Sequence, residues 1–589
     1  MKRHTQRSAP PRSARLALAT ALVLGSLAVT AHAQQADPLA GRQWHLLNTG
    51  QAVLGDTLPV AGNDLNVDGL YRNGIRGQGV IIGIVDDGLQ IAHPDLAANV
   101  AAVAGKNFAN GSNNPSPSDP NSDNHGTMVG GIAGAVGANG VGVRGVAPAA
   151  TLKGFNVLSS DAAGNQLSNI EYSWWDGAES ADVQVFNNSW GAGPSNPNLP
   201  FAFSQNDVAS NEQALSGTRG GRGGIYVKAA GNNFDNAAIN QFQDVCTADT
   251  KNRRTGCVPA GRDPRNNLFN VITVAAVRAD GVRSSYSSTG SALWVSGLWW
   301  RERLGSGSTC RTSWRFYDPA ILTTDVTGCA QGQQPQRPSV TTRWTATCQP
   351  STAPATTPAG LTVPSTATPM VSGVAALVLE TNPNLSYRDV KYILATTATR
   401  NHPNQPAVTL ADGRVLVPGW TVNAANRAYS NWYGFGVVNA ARAVQVAENF
   451  QSLGPLVDTG WRTTTRTVAI GNTTNAAARL TFQVANGARN IESVQLGFRV
   501  NHSNTRQLQF VLISPSGTRS VVQPAFTAIG SGTGGVQRNF TNWDLLSSNA
   551  FLDEAATGTW TLEVTDMGQA ANAASRGNLE FFKIRVLGH

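Results

Sequence analysis

Beyond residue 33 the chain offers no uninterrupted run of 18 apolar residues, which excludes a hydropathy-type membrane span from the rest of the sequence. Cysteine is scarce, five in 589 residues, and Cys246, Cys257, Cys310, Cys329 and Cys348 form no Cys-x-x-Cys pair. That spacing argues against a zinc site. Charged residues make up only 14% of the chain. The formal net charge of +8 is concentrated at the start, where Lys2, Arg3, Arg7, Arg12 and Arg15 precede the first acid, Asp37. Setting that segment aside leaves about +3, too little for the electrostatic footprint of a nucleic-acid binder. Internal repeats and long low-complexity linkers are also missing. With 41% hydrophobic residues, the chain has ample material for large cores, so disorder is excluded for most of it.

The basic start leads into an apolar run, Leu16 to Val29, and then Ala31-His32-Ala33. A charged head, a short apolar core and a small-x-small exit form a secretory signal peptide over residues 1–33, with a mature start at Gln34. Export to the periplasm or the exterior follows, where disulfides form. Short-loop pairing predicts Cys246–Cys257 and Cys329–Cys348, leaving Cys310 odd.

Downstream, Gly79-Val-Ile-Ile-Gly-Ile-Val85 reads as a buried strand, and Val183 to Phe186, Ile225 to Ala229 and Val271 to Val274 read likewise. Helical stretches alternate with them, for example His125 to Gly137 and Thr368 to Leu379. The alternation predicts an α/β domain over 34–448, a parallel sheet with helices on both faces. Such sheets work at the carboxyl ends of their strands, where Asp86 and Asn232 fall. After about Asn449 helical patterns stop and short alternating runs appear, such as Leu508 to Ile513 and Trp560 to Val564, separated by Ser514-Pro-Ser-Gly517 and similar turns. Residues 449–589 are therefore read as a linker and an all-β sandwich.

Three segments carry chemistry. Asp86 closes a buried strand in Val85-Asp86-Asp87-Gly88. His125 opens the small-residue helix His125-Gly126-Thr127-Met128-Val129-Gly130-Gly131, and Ser365 opens Ser365-Thr-Ala-Thr-Pro369-Met-Val-Ser-Gly373. A serine hydroxyl is a weak nucleophile until a histidine takes its proton. The imidazole in turn needs a buried carboxylate to fix its tautomer and stabilise its cation.

The chain order Asp, His, Ser is that of subtilisin. The sequence resembles a subtilase of the kexin/furin-like branch with an appended P domain, and is most similar to bacterial kexin-like secreted serine proteases. Asp86-Asp87, Phe186-Asn-Asn-Ser189-Trp190-Gly191 and Leu322-Thr-Thr-Asp325 carry the likeness, together with Leu512 to Thr518 and Gly558 to Asp566 in the β domain. The resemblance implies a subtilisin-like parallel sheet with flanking helices followed by an all-β jelly-roll-like P domain, and hydrolysis of protein or peptide substrates. It also places the oxyanion-binding amide at Asn232 in Ala229-Ala230-Gly231-Asn232, and a substrate-pairing segment that walls the S1 pocket at Ser189-Trp190-Gly191. The P domain is expected to dock on the catalytic domain and stabilise it; the alternative is an independent carbohydrate- or surface-binding module.

The same resemblance implies Ca²⁺. Asp37 lies seven residues before Trp44 and Asp95 nine after Asp86. The loop from Val136 to Val143 offers the Asn139 amide and the carbonyls of Val136, Val141 and Val143, an oxygen-only set suited to Ca²⁺. It further implies basic P1 specificity, with Asp263 at S1 and Asp87 near S2. Pro194 stands where a second S1 aspartate belongs, and Val258 and Ser288 stand at ligand positions of a second calcium site, so the preference should be less exclusive than in furin.

The family's Gly-Thr-Ser at the nucleophile is replaced by Val363-Pro364-Ser365, which prompts a rival reading as a catalytically impaired binding protein on this scaffold. Segments 298–316 and 350–364 also depart from the family, as local reading-frame errors would make them do. Only Gln34, Gln35 and Ala36 separate the signal exit from Asp37, where relatives carry a folding propeptide. A separate chaperone protein is the corresponding expectation, because parallel sheets fold slowly.

Overall fold

The computed structural model describes residues 35–53, 55, 57–119, 123–159, 179–191, 215, 217–234, 248–299, 318–327, 359–360, 366–471, 477–527, 543–568 and 577–589. Outside them fall the leader, Pro194, the stretch Val363-Pro364-Ser365 and every cysteine except Cys257.

Among the described residues seven strands form the first sheet: β1 (Ile81–Asp86), β2 (Val100–Asn107), β3 (Thr151–Asn156), β4 (Val185–Asn188), β5 (Ile225–Ala229), β6 (Val271–Val277) and β7 (Val295–Leu298). Their order is β2-β3-β1-β4-β5-β6-β7, with every pairing parallel. Runs such as Val271-Ile-Thr-Val-Ala-Ala-Val277 are buried at every position, as strands covered on both faces must be. The chain leaves β1 for β2 and β3 on one side, then returns to β4 on the other. The carboxyl end of β1 is thus a topological switch point, and Asp86 stands there.

Two nearly non-amphipathic helices pack on this sheet because both are buried around most of their circumference. In α1 (His125–Gly134) every residue after His125 is buried. Glycine is required at Gly126, where a Cβ would lie 2.2 Å from the Gly88 carbonyl oxygen, and at Gly131, where it would lie 2.2 Å from Thr324 Oγ1. The second, α2 (Ala367–Thr381), is buried from Ala367 through Leu379. Two amphipathic helices follow, α3 (Tyr387–Thr397), started by a Ser386/Asp389 capping box, and α4 (Ala440–Ala447). Among the described residues no helix is long and apolar enough to cross a membrane.

After α4 the described helical turns are confined to Thr505–Gln507, and the chain builds two antiparallel sheets. One contains β8 (Arg462–Ala469), β10 (Ile491–His502), β13 (Trp543–Ser548) and β15 (Gly577–Gly588), with Val457–Asp458 at its edge. The other runs β9 (Ala478–Val484), β14 (Gly558–Asp566), β11 (Leu508–Ile513), β12 (Arg519–Gln523). Their facing residues form a core in which Phe498 stacks on Phe510 at 4.1 Å between centroids and Trp560 is fully buried.

The alternation expected along Leu508–Ile513 is not observed, because five of its six residues are buried. Its outward face is covered by the first domain, with Gln509 Nε2 donating to the carbonyls of Val415 and Leu416. The seam is apolar at Ala525, Phe526, Ala550, Leu552 and Met567, which join the buried cluster of the first domain. Polar groups stitch it from both sides. Asn423 Nδ2 donates to the carbonyls of Ala550 and Leu552, Asn549 Nδ2 donates to those of Ala292 and Leu293, and Arg388 pairs with the buried Glu492. The sandwich is docked on the first domain.

Candidate active site

β1 delivers Asp86 fully buried, and α1 begins with His125, whose side chain is one-fifth exposed. Their facing atoms, Asp86 Oδ1 and His125 Nδ1, lie 2.8 Å apart. An Nδ1–H donated to the carboxylate leaves Nε2 as the imidazole's remaining basic nitrogen. Asp87 holds the helix from below: its two carboxylate oxygens accept the backbone N–H groups of His125 (3.0 Å) and Gly126 (2.7 Å). It therefore acts as a cap for α1, favourably placed against the positive end of the helix.

These three groups tune one another. Burial opposes a charged imidazole, but the charge and hydrogen bond of Asp86, with the charge of Asp87 behind it, raise His125 to about 9. Burial, then the neighbouring Asp86 charge, push Asp87 up to about 7, against the opposing pull of the His125 charge and the two backbone donors.

Asn232 lies three residues past the end of β5, half-buried, and its side chain makes no hydrogen bond to a described residue. Ser365 lies outside the described residues. The next residue, Thr366, is buried and donates to the Leu298 carbonyl at 3.2 Å, tying the entry of α2 to the end of β7. Further along α2, Ser372 Oγ donates to Asn187 Oδ1 on β4.

The segment Ser189-Trp190-Gly191 leaves the end of β4. Ser189 is buried and accepts from Asn187 Nδ2, the Trp190 indole N–H donates to the Val85 carbonyl at 2.9 Å, and Gly191 is exposed with open space around it. Behind Trp190 stands Lys228, a residue the sequence reading missed. Its ammonium is fully buried, 2.8 Å from Asp263 Oδ2, and donates to the Trp190 carbonyl at 3.2 Å. A lysine in the otherwise apolar run Ile225-Tyr-Val-Lys-Ala229 was the available signal. Asp263 is itself buried and uses Oδ1 to cap the turn at Arg265 N.

Asp37 and Asp95, both buried, converge on the loop 136–143. Asp37 accepts the backbone N–H groups of Ala138 and Asn139 and pairs with Arg144 Nε at 3.0 Å. Asp95 accepts from Val143 N and Asn139 Nδ2. Burial, opposed by those two hydrogen bonds and reinforced by the charge of Asp37, raises Asp95 to about 6. The loop wraps closely: Gly142 has φ +47°, and a Cβ there would sit 2.5 Å from Asp95 Oδ2. Val136 donates its N–H to the Asp95 carbonyl and Val141 its own to Asn139 Oδ1. Among the described residues no three His, Cys, Asp or Glu side chains cluster to hold a metal. The side chains gathered here, two buried carboxylates and the Asn139 amide, carry hard oxygen donors of the kind Ca²⁺ takes.

The parallel sheet with its Asp–His pair at the switch point, followed by a docked β-sandwich, defines a class, and comparison identifies it. A family model described as the subtilase family matches residues 77–436, and one described as the proprotein convertase P-domain matches residues 491–586. The chain belongs to the subtilase family of serine proteases and carries a P domain. It is 36% identical over 564 residues to the Aeromonas extracellular serine protease of Aeromonas sobria, covering 92% of this chain and 86% of that protein. It is 31% identical over 567 residues to the microbial serine proteinase of Aeromonas salmonicida, covering 90% and 84%. Among solved structures, the Aeromonas sobria serine protease in complex with its chaperone superposes with a TM-score of 0.79 at 33% identity, covering 94% of this chain and 95% of that one.

Proposed function

We propose that this chain is a secreted, calcium-stabilised serine endopeptidase that cleaves after basic residues. The observation that carries the proposal is the 2.8 Å Asp86–His125 pair at the carboxyl end of β1. In this reading Ser365 Oγ attacks the scissile carbonyl carbon while His125 Nε2 takes its proton. Asp86 keeps the imidazole in the productive tautomer and stabilises its cation. The Asn232 amide and the Ser365 backbone N–H donate to the oxyanion, each such donor being worth about 10²–10³ in turnover. His125 then returns the proton to the leaving amine, and water repeats the sequence on the acyl-enzyme.

Ser189-Trp190-Gly191 pairs with extended substrate, Asp263 and Asp87 supply negative charge near S1 and S2, and Asp37, Asp95, Asn139 and the carbonyls of Val136, Val141 and Val143 hold Ca²⁺. The ion, when bound, neutralises the buried carboxylates and ties the segment at Asp37 to the 136–143 loop; it takes no part in the chemical step. Residues 1–33 are the signal peptide, 34–448 the catalytic domain, and 449–589 the linker and P domain. A disulfide Cys246–Cys257 is supported by Cys257 being buried and disulfide-bonded. A separate folding chaperone is supported by the similarity to a protease solved in complex with one.

Hydrolysis of paired peptides with Arg or Phe at P1, with calcium and after chelation, tests the reading. Expected are faster turnover of the Arg peptide and loss of thermal resistance on chelation. Equal rates refute the specificity, and an unchanged melting temperature refutes the calcium site.

A further inference from the structure

Lys228 stands out behind the Ser189-Trp190-Gly191 segment. It sits on β5 four residues before Asn232, in a strand that is otherwise apolar, with its ammonium entirely buried. Burial depresses its basicity, while the Asp263 charge pulls it back up. Its partners are specific: Asp263 Oδ2 at 2.8 Å, the Trp190 carbonyl at 3.2 Å, and the Trp190 ring at 5.3 Å from the ammonium to the centroid. The Arg265 guanidinium lies 5.8 Å from the same ring centroid. Trp190 is therefore held at three points: its indole N–H on the Val85 carbonyl beside Asp86, its own carbonyl on Lys228, and its ring in contact range of two cations.

Fold stability alone does not account for such a pair. Replacing a buried ion pair by apolar side chains is often neutral or stabilising, so a pair retained beneath a binding wall invites a role in specificity. Both Asp263 oxygens are occupied, one by Lys228 and one by Arg265 N. The carboxylate thus offers a substrate cation little uncompensated charge, and the ammonium beside it repels one. A built-in repulsive element of this kind is how pockets narrow or broaden their choice.

We propose that Lys228 is a specificity-determining positioning residue, which fixes Trp190 from beneath and masks the Asp263 carboxylate, so that uncharged P1 side chains are accepted beside basic ones. The inference rests on the serine-endopeptidase reading with Asp263 at S1.

The test compares kcat/KM for peptides differing only in Arg or Phe at P1, on enzyme normalised by active-site titration. Lys228→Met is expected to raise the Arg:Phe ratio at least about tenfold, chiefly through a lower KM for Arg, by unmasking the carboxylate. Asp263→Asn is expected to lower the ratio, because Lys228 then stands unneutralised, and the double variant is expected to return toward the parent. If Lys228→Met does not fold, Lys228→Gln, which removes the charge but keeps a donor for the Trp190 carbonyl, takes its place with the same expected rise in the ratio. Ratios within twofold of the parent in every folded variant overturn the proposal. A parent enzyme that cleaves neither peptide refutes the endopeptidase reading instead, and one that cleaves both equally refutes only the basic preference.

Discussion

Asn549 offers the sharpest test of how the two domains depend on each other. Its buried side chain donates across the seam to the carbonyls of Ala292 (3.0 Å) and Leu293 (3.1 Å), and within the sandwich it accepts from Ser493 Oγ (3.0 Å). The substitution Asn549→Ala removes three hydrogen bonds and leaves their partners without water. At about 1 kcal/mol for each, the loss is about 3 kcal/mol. The backbone bond from Asn549 N to the Ser291 carbonyl survives, so the β-strand itself is not at issue. Ala292 and Leu293 lead directly into β7, whose Leu298 carbonyl receives Thr366, the neighbour of Ser365. Seam damage therefore reaches the entry of α2. Urea unfolding followed by intrinsic fluorescence, with limited proteolysis in parallel, reads both effects. Expected are a shift in unfolding free energy of about 3 kcal/mol and faster nicking of the exposed 451–457 connection, releasing the sandwich. A change under about 0.5 kcal/mol, with no new cleavage, refutes the view that the two Asn549 bonds across the seam hold the domains together.

Asp87→Asn removes a charge that helps keep His125 protonated, so the acid limb of kcat/KM moves to lower pH. It also costs about 1 kcal/mol, because an amide accepts only one of the two backbone donors that the carboxylate holds. An unmoved acid limb contradicts the coupling. His45 is fully buried with neither ring nitrogen bonded to a described residue, and burial lowers its pKa to about 3. The unfolded chain takes up that proton near pH 6.5 and the folded chain does not, so stability is intact above 6.5 and falls by about 1.4 kcal/mol per unit as pH drops from there toward 3. His45→Phe should flatten acid denaturation over that window, and an unchanged slope counts against the assignment.

Much of this arrangement is legible in the sequence because its causes are local. Val-Asp86-Asp87-Gly is a buried strand meeting a turn, and His125-Gly126 opens a helix whose glycines only a tight packing partner requires. The long-range consequences are hidden. Asp87 carries no local sign that its carboxylate caps the helix 38 residues away. Lys228 reads as an exception inside a strand until folding sets it under Trp190. The alternation of the last 140 residues predicts one wet face for each sheet. Part of that second face is dry because another domain covers it, and a strand's own pattern cannot encode its cover.

The central claim is that Ser365, activated by His125 and Asp86, is a working nucleophile although Val363-Pro364 precedes it. Labelling of the folded protein with a fluorophosphonate probe, beside Ser365→Ala, tests it most directly. The account predicts covalent labelling of the parent, faster as pH rises through the His125 transition, and none in the alanine variant. A folded parent that stays unlabelled, or an alanine variant labelled equally, contradicts it.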